Sequence, residues 1–356
     1  MGQWKKRIAV LGVAGALAIS SLTGCSGSMK NDDVVATVGD SEIPLGIANF
    51  YARMTQAQYE SYYAGMMGTT GEEMWSKEAE EGKTYEQTVK ATLIQSLENL
   101  YLLEQHAADY DVELTDEEKK QIEKTAKTFD DDNTLEDKEA VSGYEKYVKR
   151  YLELVTIQKK MEGSMKAGVN EEVSDEEAAQ KSMQYVYFPY TATDDSGSSV
   201  KLTDDEKSAV KEKAQTFADA LKSKTAEIDS AAAEAGVEVK TATFDGDSTA
   251  PDADLVSAVD ALAAEGDTTD VVETDSGLYV GKLTSLLDRE ATDKEKTAIV
   301  KKRQQEQYDS LVKQWRKETD ISVNKKVWKK VSFEKLGVTV KEGANEYEDS
   351  SADKAE

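Results

Sequence analysis

The sequence predicts an α+β fold in which the N- and C-terminal segments form one discontinuous helical domain around an inserted domain of four strands and about three helices. Three observations lead to this prediction. Helical spacing of apolar residues dominates on both sides of residues 183–287. Within that stretch the patterns follow the order strand, helix, helix, strand, helix, strand, strand. An apolar stripe near the C-terminus also needs a partner from elsewhere in the chain.

Residues 1–24 have the pattern of a signal peptide. Lys5, Lys6 and Arg7 precede an apolar run from Ile8 to Ile19 that is too short for a stable membrane span. The tetrapeptide Leu22-Thr23-Gly24-Cys25 resembles a bacterial lipobox, which implies cleavage before Cys25 and attachment of diacylglyceryl and palmitate chains. The alternative is an ordinary signal peptide followed by a free thiol, but Cys25 is the only cysteine and would be an exposed, reactive thiol. We expect an extracytoplasmic protein that is lipid-anchored to the outer face of the bacterial cell membrane.

The charge of the chain excludes whole classes of partner. The formal net charge is -26, and removal of residues 1–24 takes away three further positive charges. Such a surface repels nucleic acid and anionic headgroups, so we expect no nucleic-acid binding and no electrostatic docking on lipid. Acyl chains contribute about 0.8 kcal/mol per buried methylene and have to provide the attachment. Without disulfides, stability depends on burial, and the length is sufficient for two domains.

A short tether, residues 25–33, leads into an N-terminal helical domain that we place at 34–178. Val34–Val38 and residues 41–43 read as a hairpin around Gly39 and Asp40, and Pro44 begins the next helix. This opening resembles the start of SurA- and PrsA-type chaperones, which carry a comparable Val-Ala-x-Val-Asn-Gly-x-x-Ile motif ahead of a helix.

Helix starts are predicted from capping boxes, in which a hydroxyl and a carboxylate or amide three residues later satisfy two backbone N–H groups. We predict five such starts: Thr84 with Gln87, Thr115 with Glu118, Ser174 with Glu177, Thr203 with Glu206, and Thr292 with Glu295. Acidic or Ser-rich stretches at 130–133 and 191–199 are predicted as solvated loops.

Three apolar stripes organise the helices. Leu93, Leu97 and Leu100 belong to a helix that is nearly apolar all round, which predicts a buried central helix. Tyr147, Leu154 and Met161 belong to a second stripe. A third contains Val300, Tyr308, Leu311, Val312 and Trp315. We therefore expect a C-terminal helix, within residues 291–340, to fold back on the N-terminal domain, followed by a disordered acidic tail at 341–356.

The inserted domain, residues 179–290, begins with a strand at 183–188. A second strand is predicted at 237–243, and a closing hairpin joins 269–274 to 278–283 through Asp275-Ser276-Gly277. This order and the run from Glu265 to Val280 resemble a parvulin-type peptidyl-prolyl isomerase domain. The resemblance implies that the two histidines of the family are replaced by Tyr185 and Tyr279, and that Asp245 imitates the family's acid. It also implies a membrane-anchored foldase of the PrsA type, assisting secreted proteins.

Prolyl isomerisation breaks no bond, and its barrier of about 18–20 kcal/mol is that of amide rotation. Tyrosine at 185 and 279 retains a ring and a hydroxyl but not an imidazole network, so we expect weak or no activity. One alternative is a working isomerase that uses Tyr185, Asp245 and Tyr279 in altered roles. Another reads Tyr185, Phe188 and Tyr279 as plain sheet core. A transporter solute-binding lipoprotein is a further alternative, but such proteins alternate strands and helices throughout.

Methionine and aromatic side chains concentrate in residues 50–75. Such side chains adapt to irregular apolar partners, so this region is the predicted binding site for unfolded or secreted client proteins. The alternative interpretation places half or more of them in the core. The candidates are Phe50, Met54, Tyr59, Tyr62, Tyr63, Met66, Met67 and Trp75.

Other chemistry is not expected. His106 is the only histidine, so a catalytic triad would have to depend on it alone, and a packed or surface role is the expectation. The aspartates at 130–132 lack the glycine and closing glutamate of a calcium loop. We predict no metal site and no cofactor.

Overall fold

The computed structural model describes residues 17–22, 29–66, 68–194 and 196–340. Most of the predicted signal peptide, the lipidation candidate Cys25, the client-binding candidate Met67 and the acidic tail 341–356 lie outside the described residues. The fold is α+β, as the sequence predicts.

The N-terminal part of the chain is mainly helical, with short strands at its start and around residue 80. In chain order its elements are β1 (Leu17–Leu22), β2 (Val34–Val38), β3 (Ser41–Pro44), α1 (Leu45–Gln58), a π turn (Tyr59–Tyr63), α2 (Ala64–Met66), α3 (Gly71–Ser76), β4 (Glu78–Glu80), β5 (Lys83–Thr84), α4 (Tyr85–Gln105), a 3-10 turn (Ala107–Tyr110), α5 (Asp116–Asp132), α6 (Leu135–Val141) and α7 (Glu145–Met165).

Strands become frequent in the middle of the chain. The elements there are β6 (Lys181–Pro189), β7 (Thr191–Thr193), β8 (Ser199–Lys201), α8 (Asp204–Lys222), α9 (Ile228–Ala235), β9 (Lys240–Phe244), α10 (Ala253–Asp260), β10 (Val272–Glu273) and β11 (Gly277–Ser285). The C-terminal part contains one long helix and three short elements. These are α11 (Arg289–Glu318), β12 (Ile321–Val323), α12 (Lys325–Trp328) and β13 (Leu336–Val340).

The chain divides into two compact units. Unit 1 contains the described residues up to Gly168 and those from Gln304 onward, and unit 2 is Val169–Arg303. The second boundary falls within α11. The helix predicted within 291–340 ends at Glu318, and the remaining residues form two strands and a helical turn instead.

The C-terminal part of unit 1 completes the N-terminal hairpin. Strand β12 pairs antiparallel with β2, from Ile321 opposite Val38 to Val323 opposite Ala36. Gly39, which has a positive φ of 55° at the tip of the hairpin, donates its N–H to the carbonyl of Asp320 at 2.9 Å. The sequence predicts the hairpin but not this third strand.

Helix α4 is buried, as its apolar sequence predicts. Residues Leu93, Ile94, Leu97 and Leu100 are almost inaccessible and belong to the core of unit 1. A fully buried side chain of this size contributes about 1.5–3 kcal/mol. Val312 and Trp315 from the second half of α11 join the same core. The Trp315 ring stacks on the ring of His106 with a centroid distance of 4.1 Å, which gives His106 the packed role expected for it.

Unit 2 is built on a four-stranded antiparallel sheet in the order β10-β11-β6-β9. Alternation of side chains gives the sheet two faces. On one face Val186, Phe188 and Val280 pack with the buried side chains of α8 and α9. On the other face Met183 and Tyr279 pack with the buried side chains of α10.

Three of the five predicted capping boxes are present. Thr84 with Gln87, Thr115 with Glu118 and Thr203 with Glu206 begin α4, α5 and α8. The other two predicted starts are wrong. The Ser174 hydroxyl accepts the N–H of Glu177, but only a turn follows. Thr292 lies inside α11, where its buried hydroxyl accepts the N–H of Gln180 instead of capping a helix.

Two predicted loops are also structured. Asp130, Asp131 and Asp132 are the last residues of α5, and Asn133 is its C-cap. The stretch 191–199 is largely a small hairpin in which β7 pairs with β8. The sequence signals for these loops were charge and serine content, and both are compatible with an exposed helix end or a hairpin.

Candidate functional site

Tyr185 and Tyr279, the predicted replacements for the parvulin histidines, lie on one face of the unit 2 sheet. Tyr279 on β11 lies opposite Tyr187 on β6, and their ring centroids are 4.6 Å apart. Tyr185 is two residues before Tyr187 and therefore on the same face, with its ring centroid 6.2 Å from that of Tyr279. The structure thus brings together two of the three catalytic candidates.

Helix α10 closes this face. Its Leu255 and Val259 belong to the same buried cluster as Met183 and Tyr279. The approach is close at Gly281, where a Cβ atom would lie 2.5 Å from the Cγ2 of Val259. Glycine is required there because any side chain would push the helix away.

Tyr279 is buried, with 9% of its surface exposed, and this burial raises the pKa of its hydroxyl above the ordinary value. The phenol therefore stays protonated at neutral pH. A protonated phenol donates a hydrogen bond to a carbonyl but cannot act as a base. The Tyr187 hydroxyl is already engaged, since it donates to the carbonyl of Ser276 at 2.6 Å.

Asp245, the third catalytic candidate, has partners of its own. Its carboxylate accepts hydrogen bonds from the Ser248 hydroxyl at 2.8 Å, the Gln180 amide at 3.1 Å and the Asp247 N–H at 3.1 Å. These bonds, that of Ser248 first, hold the pKa of Asp245 below its ordinary value. The carboxylate therefore organises the loop after β9.

The acid whose charge acts on Tyr279 is Asp252, which the sequence analysis missed. Asp252 is the N-cap of α10, and its side chain accepts the N–H groups of Asp254 and Leu255. The signal was present in the sequence, since Asp directly before an apolar helical run is a strong N-cap. The tyrosine face thus offers an apolar floor, a phenol donor and a nearby carboxylate.

The client-binding candidates fall into two classes in unit 1. Phe50 and Trp75 are fully buried, and Met54 and Tyr59 are half-buried and packed against the core. Phe50 packs edge-on against Phe129, with ring centroids 5.3 Å apart. These four side chains follow the alternative interpretation of core packing.

The remaining described candidates are exposed. Tyr62 is 47% exposed, Tyr63 42% and Met66 83%. Tyr62 and Tyr63 belong to the π turn, whose extra residue per turn changes side-chain directions relative to α1. We call Tyr62, Tyr63 and Met66 the exposed apolar patch.

A buried polar cluster fixes the C-terminal chain beside this patch. The guanidinium of Arg53 donates to the carbonyl of Ser332 at 3.0 Å, and the Gln56 amide donates to the carbonyl of Phe333 at 3.2 Å. Glu60 accepts the N–H of Val338 at 2.7 Å. Burial lowers the pKa of Arg53 to about 10 and raises that of Glu60.

A polar groove of about 640 Å³ lies elsewhere in unit 1, between α4 and the end of α11. Its lining includes Glu98 and Arg316, which form an ion pair at 2.7 Å. These two charges therefore satisfy each other.

Two further features bear on function. None of the helices in the described part of the chain combines the length and the apolar character that a membrane crossing needs. Within residues 17–22, 29–66, 68–194 and 196–340, no three His, Cys, Asp or Glu side chains group in a way that could hold a metal ion.

No protein-family model and no curated protein matches the chain. Among solved structures it is similar to the foldase protein PrsA from Streptococcus pneumoniae, with 21% identity, a TM-score of 0.30, and coverage of 72% of this chain and 98% of that one. A peptidylprolyl isomerase (PrsA) from Bacillus cereus matches with 18% identity, a TM-score of 0.30, and coverage of 85% and 98%. A structure from Campylobacter jejuni, described as that of the SurA-like chaperones PEB4 and Cj1289, matches with 10% identity, a TM-score of 0.28, and coverage of 82% and 98%. These are the two types that the opening hairpin motif resembles.

Proposed function

We propose that this protein is a lipid-anchored, extracytoplasmic foldase or holdase that binds unfolded secreted proteins. In this proposal unit 1 is a discontinuous chaperone domain, and unit 2 is an inserted parvulin-like domain with weak or no isomerase activity. The observation that carries the proposal is the exposed apolar patch. It places three exposed, large apolar side chains within a stretch of five residues, 62–66, in a chain with a net charge of -26.

The chemistry of the patch suits a general client. Tyrosine brings a large, rigid contact area, and methionine adapts its shape to irregular apolar partners. Neither residue type imposes a sequence on the client. The negative charge of the chain keeps the complex soluble, and the anchor on Cys25 holds it where secreted chains emerge.

The test is the aggregation of an unfolded secreted protein, followed by light scattering, with the chain lacking residues 1–24 at near-stoichiometric amounts. We expect the wild-type sequence to delay aggregation and the triple variant Tyr62→Ser, Tyr63→Ser, Met66→Ser to lose most of the delay. The matched control removes three other exposed apolar side chains, Leu135→Ser, Val200→Ser and Leu286→Ser. Equal loss in both triple variants, or no delay by the wild type, would overturn the proposal.

A working isomerase is the second candidate, and the protonated Tyr279 hydroxyl beside an apolar floor favours it. In this function the hydroxyl would donate a hydrogen bond to the twisted amide of the bound proline peptide bond. It can do so only if it reaches that amide group. A protease-coupled proline-peptide assay separates the two functions. Acceleration that is lost in both Tyr185→Phe and Tyr279→Phe supports the isomerase, whereas no acceleration by the wild type supports the holdase alone.

A further inference from the structure

The last strand of unit 1, β13, has two different edges. Along one edge, side chains from α1 and the π turn satisfy its backbone. The Gln56 amide donates to the carbonyl of Leu336, Glu60 accepts the N–H of Val338, and the Ser61 hydroxyl accepts the N–H of Val340 at 3.0 Å. Because alternate residues of a strand point their backbone groups to opposite edges, Gly337 and Thr339 face the other side.

That other edge is occupied by β1. The strands pair antiparallel from Leu17 opposite Val340 to Leu22 opposite Leu336, with one irregularity between Ile19 and Ser21. The sequence of β1 is Leu-Ala-Ile-Ser-Ser-Leu, which is apolar or small throughout and carries no charge. The chain therefore contains an example of what this edge accepts.

Strand β1 lies within residues 1–24, which the proposed processing removes. In the processed protein the backbone groups of Gly337 and Thr339 would then have no strand beside them. An unpaired strand edge is a template for pairing with another chain. The side chains of Leu336 and Val338 meanwhile remain in the core of unit 1, and the helix-side hydrogen bonds still hold β13 in place.

We propose that the vacated edge of β13 binds clients by strand addition, taking an extended, uncharged segment of apolar and small residues in the antiparallel orientation of β1. Main-chain hydrogen bonds supply the affinity in this mode, so the site tolerates many sequences. Ser61, which accepts the N–H of Val340 on the helix-side edge, is followed directly by Tyr62, so the exposed apolar patch lies near the C-terminal end of β13. The signal peptide occupies the site until it is cleaved. This inference rests on the proposed client binding and processing.

The test measures binding of a fluorescent peptide with the sequence of Leu17–Leu22 by anisotropy. Four proteins are compared: the processed chain with Cys25→Ser, the full chain, the full chain with Ala18→Pro, and the processed chain with Thr339→Pro. We expect saturable binding to the processed chain and to the Ala18→Pro chain. The unaltered full chain is expected to bind the peptide at least about tenfold more weakly, because β1 competes for the edge at a high effective concentration. Thr339→Pro removes an N–H that faces the peptide and abolishes binding, whereas Thr339→Val retains it.

A second measurement covers the case in which Thr339→Pro disturbs folding. In hydrogen exchange of the processed chain, the amides of Gly337 and Thr339 are expected to be slow only with peptide, while those of Val338 and Val340 are slow with and without it. Equal peptide affinity of the full and processed chains, or no change in exchange at 337 and 339, overturns strand addition. If the processed chain still delays aggregation in that event, the proposed function stands without it. If it does not, the proposed function fails as well.

Discussion

At the scale of single residues, several polar groups of unit 2 have structural partners. Tyr279 is buried beside Leu255 and Val259 with a raised pKa, and Tyr187 donates to a backbone carbonyl. Asp245 ties Gln180, Asp247 and Ser248 together at the end of β9. Tyr187 and Asp245 therefore hold local backbone arrangements in place, and Tyr279 belongs to the sheet core.

The pKa of Asp245 gives a pH prediction. Because hydrogen bonds favour its ionised form in the folded state, its folded pKa lies below the ordinary value of 3.8. Its contribution to stability is therefore present above that value and is lost as the pH falls through the folded pKa. We expect Asp245→Asn to remove part of the loss of unit 2 stability below pH 4, measured by urea unfolding through the β9 amide signals. The control is the exposed neighbour variant Asp247→Asn, which retains the backbone N–H that donates to Asp245.

Arg53 is the most consequential charge in unit 1. It is fully buried and supports the carbonyl of Ser332, and Glu60 and Glu86 favour its charged form. Arg53→Met leaves buried acceptors and acids without this partner, so we expect a loss of about 3–5 kcal/mol. The exposed Lys127, paired with Asp131, is the control, and Lys127→Met should change stability by less than about 1 kcal/mol.

Tryptophan fluorescence during urea unfolding measures the stability loss of Arg53→Met in unit 1 alone. Trp75, Trp315 and Trp328 all lie in unit 1, and residues 169–303 contain no tryptophan. A loss below about 1 kcal/mol for Arg53→Met would show that the cluster is not a structural support.

Some residues of the two units could be predicted from the sequence and others could not, for physical reasons. The strand positions of Tyr185 and Tyr279 were predictable because strand residues follow a recognisable pattern, and the resemblance to parvulins placed the two residues in one site. The cluster of Arg53, Gln56 and Glu60 was not, since charged residues on a helix usually mark a solvated face. The distant backbone of residues 332–338 explains why Arg53 and Gln56 are buried and Glu60 is partly buried.

At the scale of elements, the predicted helix caps show when a local sequence signal is enough to start a helix. A capping box stabilises a helix only where the chain can continue as a helix beyond it. After Thr84 the residues are strong helix formers with an apolar stripe, and α4 follows. After Ser174 the same hydrogen bond forms, but α7 has already ended at Met165 and β6 begins at Lys181. A short link leaves no room for a helix.

Paired substitutions separate these cases. Thr84→Ala removes an N-cap and should lower the stability of unit 1 by about 1 kcal/mol, again measured by tryptophan fluorescence in urea. Ser174→Ala removes the same type of hydrogen bond from a turn, so we expect no loss of helix in circular dichroism and a stability change within about 0.5 kcal/mol. A larger cost for Ser174→Ala than for Thr84→Ala would contradict this reading.

The contact between α4 and the end of α11 is also testable. Arg316 donates to the buried carboxylate of Glu98 at 2.7 Å and to Asn99 at 2.7 Å. Arg316→Met leaves the buried carboxylate of Glu98 without its charged partner. We expect the free energy of unfolding to fall by about 1–3 kcal/mol. The double variant with Glu98→Gln should regain part of it, because a neutral amide costs less to bury. Additive effects of the two substitutions would mean that the pair does not couple.

At the scale of the whole molecule, the two ends of the described chain share one core. β12 pairs with β2, Trp315 stacks on His106, and β13 lies along the cluster of Arg53 and Glu60. The sequence predicted the return of the last helix from its apolar stripe. It did not reveal β12 or β13, since their partners lie about 280 residues away and short strands carry little periodicity.

The proposed function depends on the exposed apolar patch. The most direct measurement places a photoreactive benzophenone amino acid at position 66, where Met66 is 83% exposed, or at the control position 286, where Leu286 is 42% exposed. Both variants are made in the chain lacking residues 1–24. An unfolded secreted protein is then added and illuminated. We predict a crosslinked complex from position 66 and little from position 286. Crosslinking from 286 alone, or none from either position, would contradict client binding at the patch.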